Sequence, residues 1–279
     1  MDWYKIKNIL IFVLIMLNIA TFSVFYKVDA QDKIIEKQTQ DNVASILSAS
    51  NIRIDKKNIP QSPVFFTGRY IERALETNSS FIGKLLGSGY TSLGSGVYAS
   101  KDKTLSFSGN MIDFSDKNPS TPPDNFAEED IKKYCLEEMK KLDINYKTYT
   151  YDGLNYSGDK VKAIFSPTIG EYKFFDSFLS FEVSPKGITA IQGKNILLAK
   201  PVPSISTKVY DINSVLLDLV SSPNASSNQI TGIISINLGF YIGGGEERYS
   251  NVLAIPAWQI ATENGSILYF DARNGKNIE

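Results

Sequence analysis

Histidine is absent from the 279-residue chain, and cysteine occurs once, as Cys135. Histidine is the commonest general base near neutral pH and the commonest transition-metal ligand, so its absence excludes Ser-His-Asp and Cys-His catalysis. A single cysteine cannot form an intramolecular disulfide or a cysteine-rich zinc or iron–sulfur site. We therefore expect no catalytic residues, no metal and no cofactor.

The chain also lacks a surplus of charge of one sign. It has 29 basic and 30 acidic residues, which gives a formal net charge of −1. Proteins that bind a phosphate backbone normally carry a basic patch, so nucleic acid is not an expected partner. Hydrophobic residues make up 43% of the chain, which predicts a folded globular protein rather than a disordered one.

One long apolar run stands near the N-terminus. Residues 9–26 contain no charged side chain, and a run of this length can span a bilayer as a helix. Lys5 and Lys7 precede it, which predicts a cytoplasmic N-terminus. We predict a single-pass anchor in the cell membrane, with the C-terminal domain outside the cell. The anchor residues with a possible interfacial or helix–helix role are Trp3, Asn18, Thr21 and Ser23.

A cleaved signal peptide is the alternative to an anchor. Val28-Asp29-Ala30 has small residues at the spacing that a signal peptidase requires, with cleavage after Ala30. The apolar run exceeds the usual signal-peptide core of about 7–15 residues, which favours the uncleaved anchor. Asn18 either contacts a neighbouring membrane helix or is simply tolerated, and the sequence leaves both open.

Composition divides the exported part at two proline-containing segments. Residues 116–125 hold three prolines and no apolar side chain, and Pro201 and Pro203 punctuate the chain again. The predicted segments are a cytoplasmic tip and anchor (1–30), a stalk with an N-terminal α/β subdomain (31–118), and two modules (119–200 and 201–279).

Each segment after the anchor has a predicted element order. The subdomain shows strand patterns at 52–54 and 105–114 and a short helix pattern at 70–75. In the first module, Asn125 is expected to cap a helix that runs to about residue 143, with Cys135 on its apolar stripe. Strands are then predicted at 147–151, 161–165, 174–183 and 188–192.

The second module repeats this order. Asp211 is expected to cap a helix whose apolar face is Ile212, Val215, Leu216 and Leu219. Strands are predicted at 230–242, 252–261 and 267–272. One helix followed by antiparallel strands in both modules predicts the α+β class, with helices packed on antiparallel sheets.

Two glycine-rich stretches and one acidic pair are weak candidates for chemistry. Gly87-Ser88-Gly89 and Gly243-Gly244-Gly245 lack the other residues of dinucleotide-binding and P-loop motifs, which favours turns. Glu246 and Glu247 are neighbours, and neighbours on a strand point to opposite faces. We interpret this pair as a solvated hairpin rim rather than a catalytic pair.

Trp258 lies in an apolar strand pattern beside Pro256. Proline argues for an edge strand or a bulge. Burial in the core is the default for tryptophan, while docking of a partner, by strand addition for example, is the alternative.

Both ends of the chain resemble one family. The opening Met1-Asp2-Trp3-x-Lys5-x-Lys7 that leads into an apolar helix with Asn18 resembles the YycI proteins of Gram-positive bacteria. Ala254-Ile255-Pro256-Ala257-Trp258, Gly265 and the segment from Tyr269 to Gly275 resemble the PepSY-like ending of that family. The resemblance implies that the two modules are PepSY-like. Trp258 and Tyr269 form a possible partner surface, because aromatic residues are enriched at interfaces.

The resemblance also implies a function. YycI proteins pair with YycH, and both regulate the WalK sensor histidine kinase of a two-component system that controls cell-wall metabolism. A non-catalytic regulator that binds a YycH-like protein and a WalK-like kinase is therefore the first hypothesis. The alternatives are an anchored or secreted cell-wall hydrolase that uses carboxylates alone, and a PepSY-type modulator of an extracellular protease.

Overall fold

The computed structural model describes residues 3–221, 230–243 and 251–278. In the first helix the side chains of residues 4–6, 9, 20 and 23–36 lie outside this description. The α-helices of the described part are α1 (Trp3–Ala49), α2 (Ser79–Leu86), α3 (Glu128–Lys141) and α4 (Ile212–Ser221). Glu246 and Glu247 lie outside the described residues.

One sheet of the described part has six strands. These are β1 (Arg53–Ile54), β2 (Phe65–Glu72), β12 (Val202–Lys208), β13 (Gly232–Tyr241), β14 (Asn251–Thr262) and β15 (Ile267–Asp271). Their order is β1-β13-β14-β2-β12, and β15 pairs with β14. The strand β1 runs parallel to β13, whereas β2 is antiparallel to both β12 and β14.

The second sheet contains nine strands within the described residues. They are β3 (Thr91–Gly94), β4 (Val97–Ser100), β5 (Lys103–Ser108), β6 (Met111–Asp116), β7 (Tyr149–Ser157), β8 (Lys160–Ile169), β9 (Tyr172–Lys173), β10 (Phe178–Ser184) and β11 (Gly187–Lys194). Their order is β3-β4-β5-β6-β11-β10-β8-β7, with β9 on β8, and the pairings are antiparallel. The α+β class is confirmed.

The chain divides into two compact units built from separated segments. Unit 1 comprises Met1–Ser62, Asp211–Ile236 and Ile260–Ile267, and unit 2 comprises Pro63–Tyr210, Asn237–Gln259 and Leu268–Glu279. Residues on both sides of positions 118 and 200 therefore belong to unit 2. Strand β6 pairs with β11 across the first of these positions, so this predicted boundary does not interrupt the sheet. The four-segment division stays a prediction.

Unit 1 contains the long helix α1 and the shorter α4. The C-terminal turns of α1 bury Val43, Ala44 and Leu47, and α1 packs against α4. The helix continues from the apolar run into the segment predicted as a stalk. Among the described residues, no helix combines the length and the apolar character needed to cross a membrane.

The helix α4 begins as its sequence predicts. The Asp211 carboxylate accepts hydrogen bonds from the Asn213 backbone N–H at 3.3 Å and from the Ser62 hydroxyl at 2.8 Å. A carboxylate at this position satisfies N–H groups that the first turn leaves unpaired. The four predicted apolar residues of this helix are buried, and strands β13, β14 and β15 follow it. The predicted helix and the strands after it are thus confirmed, but the second module does not begin with the helix, because β12 lies before α4 within residues 201–279.

In unit 2, the helix α3 is also predicted correctly, but its first residue is not. The stripe Ile131, Cys135, Met139 and Leu142 is buried. The expectation that Asn125 is the N-cap is wrong, because α3 starts after Ala127 and the Asn125 side chain accepts from the Phe126 N–H instead. An asparagine side chain that bonds to the next residue forms a local turn, which competes with a capping role.

Residues 70–75 do not form the predicted helix. Tyr70, Ile71 and Glu72 are the last residues of β2, and this strand is paired on both sides, with β12 and with β14. The alternation of buried and exposed positions in β2 is interrupted between Arg69 and Tyr70, which obscured the two-residue period of a strand.

Pro256 does not mark an edge strand. The strand β14 lies between β13 and β2 in the sheet order. Its register with β2 ends at Ala254, so Pro256 follows the paired segment. Since proline has no N–H to donate, it is tolerated where the ladder has already ended.

Candidate partner-binding surface

The C-terminal motif forms a compact turn in unit 2. The Asp271 carboxylate accepts from the Arg273 backbone N–H at 2.8 Å, and from the guanidinium Nε and NH2 at 2.9 and 2.7 Å. Gly275 has a φ of +75°, and a Cβ at this position would come within 2.5 Å of the Tyr210 ring. The motif therefore has a structural role: it brings the end of the chain against Tyr210.

Trp258 lies in the core of unit 2 rather than on its surface. Its side chain is fully buried, and the indole N–H donates to the Tyr210 carbonyl at 2.9 Å. Burial combined with a satisfied N–H is the expected state of a core tryptophan. The structure therefore favours the core role of Trp258, and a partner cannot reach this side chain in the described fold.

Tyr269, the other predicted partner residue, is half-buried. Its ring packs against Phe175 and Tyr241, with centroid distances of 5.8 and 5.4 Å, and its hydroxyl accepts from the Gln259 side chain at 3.3 Å. The structure thus separates the two predicted partner residues by exposure, since only Tyr269 retains accessible surface. Its role in binding stays a prediction.

The predicted anchor residues lie on α1. Trp3 is 78% exposed, Asn18 is exposed, and the Thr21 hydroxyl donates to the Leu17 carbonyl at 2.8 Å. A threonine that bonds back to its own helix keeps its hydroxyl satisfied without a partner helix. The Ser23 side chain lies outside the described part of the chain, and a helix–helix role for these residues stays a prediction.

A buried polar network in unit 2 was not predicted. The Arg73 guanidinium donates to the Asn195 side-chain oxygen at 2.9 Å, and the Asn195 amide donates to the Asp176 carboxylate at 3.2 Å. The same carboxylate accepts from the backbone N–H groups of Ile242 and Gly243, at 3.0 and 3.2 Å. These residues are far apart in sequence, so no local pattern predicts their network. Asn195 has a φ of 51°, a left-handed backbone conformation that is uncommon for residues other than glycine.

One groove of unit 2 is bordered by several carboxylates. This groove has a volume of about 630 Å³, and the carboxylates at its border are those of Asp116, Asp159 and Glu182. A general acid for glycoside hydrolysis needs a raised pKa. Hydrogen bonds from Lys160 and Thr189 instead lower the pKa of Glu182. Burial raises the pKa of Asp176, but that carboxylate already accepts the hydrogen bonds of the buried network.

Cys135 is expected to be chemically inert in the folded chain. Its side chain is fully buried, and burial, with a smaller contribution from Glu138, raises the pKa of the thiol to about 12. Since the thiolate is the reactive form, we expect a charged thiol reagent such as 5,5′-dithiobis(2-nitrobenzoate) not to label Cys135 at about pH 8. In denaturant the same assay should detect one thiol per chain. Labelling at equal rates in both conditions would contradict this placement.

Another feature that the sequence did not reveal is a groove beside the outer strand of the six-stranded sheet. It has a volume of about 210 Å³, and its lining is largely apolar. The lining residues are Gly68, Tyr70, Ser204, Ile205, Thr207, Leu253, Ala254, Ile255, Pro256 and Arg273. All of them belong to unit 2, and the predicted family motif contributes Ala254, Ile255 and Pro256.

Two solved structures are similar to this chain at low identity. An uncharacterized protein from Eubacterium rectale ATCC 33656 has 9% identity and a TM-score of 0.47, over 79% of this chain and 88% of its own. The Bacillus megaterium YpeB C-terminal domain has 9% identity and a TM-score of 0.35, over 75% and 97%. At these scores neither structure supports a functional argument, and the PepSY-like nature of the modules stays a prediction. No curated protein matches the chain.

The family model described as YycI protein matches residues 30–273, which is most of the chain. This match also covers the middle of the chain, between the two end motifs, where the sequence motifs alone showed no resemblance to the family. The resemblance to the family is thereby confirmed, although the opening motif at residues 1–18 lies outside the matched range. The chain belongs to the YycI family.

Proposed function

We propose that this protein is a membrane-anchored, non-catalytic regulator that binds a YycH-like protein and modulates a WalK-type sensor histidine kinase. The observation that carries the proposal is the family match over residues 30–273, because YycI is a regulatory family. The missing histidine excludes histidine-based catalysis, and the paired state of Glu182 agrees with a regulator rather than a carboxylate-based hydrolase.

The proposed location is the cell membrane, with a cytoplasmic N-terminus and an extracellular C-terminal domain. Support comes from the uncharged residues 9–26 and from Lys5 and Lys7 before them. The described large side chains between positions 10 and 17 are 43% or more exposed, as expected for a surface that faces lipid or another helix.

Co-purification tests the proposal directly. The full chain, tagged at its C-terminus and extracted from membranes in mild detergent, should carry a YycH-like protein and a WalK-like kinase through two purification steps. If the N-terminal helix carries the contact with the kinase, the chain that starts at Gln31 should recover less kinase than the full chain does. Recovery of neither protein with the full chain would contradict the proposed function.

Asn18 provides a sharper prediction within the same experiment. If it contacts a neighbouring membrane helix, Asn18→Leu removes an interaction of about 0.6–2 kcal/mol, which lowers kinase recovery by about threefold or more. Ile15→Leu is the matched control, since it changes a side chain of the same helix without removing a polar group. Equal recovery and equal kinase output for Asn18→Leu and the control would exclude a role for Asn18.

A further inference from the structure

The strand β12 is the outer strand of the six-stranded sheet. It pairs with β2 on one side, and no strand of the described part of the chain pairs with its other side. Two of its apolar side chains face solvent, with Val202 59% and Ile205 81% exposed. An unpaired strand edge offers backbone N–H and C=O groups to any extended chain, and natural proteins usually shield such edges. This edge is partly shielded, by Pro203 near its start and by an irregularity in the β12–β2 register between Pro203 and Ser206.

The apolar groove lies directly beside this edge. Tyr70, which is 53% exposed and pairs with Val202, lines the groove together with Ile205 and Leu253. Gly68 shapes it, since a Cβ at this position would lie only 2.8 Å from the Ser204 hydroxyl and 3.2 Å from the Ala254 carbonyl. Backbone groups and an apolar recess therefore stand next to each other, which is the arrangement that strand-addition sites use for affinity and specificity.

The charges around the edge are basic. Lys200 precedes β12, Lys208 ends it, both are exposed, and residues 200–210 contain no aspartate or glutamate. Arg273 also lines the groove, but its guanidinium is already paired with Asp271. The exposed lysines at the two ends of β12 therefore favour a ligand that is acidic at its flanks.

A second copy of the same chain would meet like charges at this edge in one register. Antiparallel pairing of two β12 strands in the register centred on Ser204 would place Lys200 opposite Lys208 at both ends. Like charges directly opposite each other destabilise a strand pair. In this register, a chain with acidic flanks suits the edge better than a second copy does.

We propose that β12 is a docking edge for an extended segment of a partner protein, which adds to the sheet as a strand, places an apolar side chain in the groove and carries acidic residues at its flanks. The proposal rests on the proposed function in that it assigns a surface to the partner protein. It is independent of which partner is involved and of the membrane helix.

The test uses the full purified chain and two fluorescent synthetic peptides. One is Glu-Val-Thr-Val-Thr-Val-Glu, and the other has lysine in place of both glutamates. Fluorescence anisotropy should show saturable binding of the acidic peptide, and binding of the lysine-flanked peptide weaker by about tenfold or more. Amides of residues 204–208 should exchange hydrogen more slowly when the acidic peptide is bound, because the added strand pairs with them.

Variants locate the binding surface. Ile205→Lys should weaken binding of the acidic peptide by about tenfold or more, since it removes an apolar contact and offers charge in its place. Leu93→Lys is the matched control: Leu93 is 65% exposed on β3, the outer strand of the other sheet, and its substitution should leave binding unchanged. Circular dichroism melting of both variants shows that they remain folded.

Several outcomes would overturn the proposal. They are the absence of binding, equal binding of the two peptides, equal binding by Ile205→Lys and the wild-type chain, and unchanged amide exchange at residues 204–208. If any of these occurs while the wild-type chain still co-purifies with a YycH-like protein, the docking edge is wrong and the proposed function stands. If peptide binding succeeds while co-purification fails, the reverse holds.

Discussion

Trp258→Ala is expected to lower the free energy of unfolding by about 3–5 kcal/mol, because it leaves a cavity in a core that excludes solvent completely. The substitution also removes the indole N–H that donates to the Tyr210 carbonyl. Tyr210 itself packs beside the C-terminal turn at Gly275. Chemical denaturation followed by circular dichroism measures the change. The loss of stability should appear as a lower denaturant midpoint. The slope of the unfolding free energy against denaturant concentration should stay unchanged if the variant exposes the same surface area on unfolding.

Two controls separate the contributions at this site. Trp258→Phe keeps most of the apolar volume but has no N–H, so its loss should be smaller, about 1–3 kcal/mol. Tyr156→Ala removes an aromatic ring that is 67% exposed and should change stability by less than about 0.5 kcal/mol. If Trp258→Ala lowers the free energy of unfolding no more than Tyr156→Ala does, the core position of Trp258 is wrong. That result would favour the partner-docking interpretation instead.

Asp176→Ala is expected to be the second most damaging substitution, with a loss of about 3 kcal/mol, because several buried donors lose their acceptor together. These donors are the backbone N–H groups of Ile242 and Gly243 and the amide of Asn195, which in turn holds the buried Arg73. Asp176→Asn retains one acceptor oxygen and should cost less. Asp159→Ala removes an exposed carboxylate and serves as the matched control.

The same residue gives a pH dependence with a defined sign. Burial raises the pKa of Asp176 above its ordinary value of 3.8, so between these two values the folded chain holds a proton that the unfolded chain releases. The contribution of the Asp176 carboxyl to stability is therefore fully present below its pKa in the unfolded chain. This contribution decreases as the pH rises through its pKa in the folded chain. The stability advantage of the wild-type chain over Asp176→Asn should be larger at about pH 4 than at about pH 7. An advantage that grows with pH would contradict the burial of this carboxyl.

Local patterns predicted the helices of the two modules well. The stripe around Cys135 and the apolar face after Asp211 repeat with the period of a helix, and the buried side of each helix agrees with the pattern. Such predictions succeed because neighbouring turns of a helix contact each other, so the information is contained within a few residues. The N-cap of α3 was missed because a local turn at Asn125 satisfies the same side chain.

Strand identity depended on partners distant in sequence. The local pattern of residues 70–72 predicts a helix, although these residues pair with β12 and β14, which lie more than a hundred residues away. The prolines at 201 and 203 were interpreted as punctuation, yet the segment forms β12, because an edge strand tolerates a missing N–H on its unpaired side.

The sequence by itself determined the excluded chemistry, the α+β class and the family, since absent histidine, element order and end motifs need no knowledge of contacts. Tertiary structure alone decided that Trp258 is core, that Arg73, Asn195 and Asp176 form one buried network, and that β12 is an outer strand beside a groove. The reason is physical: burial and strand pairing are properties of side chains and backbone groups brought together by the whole fold, and no local period records them.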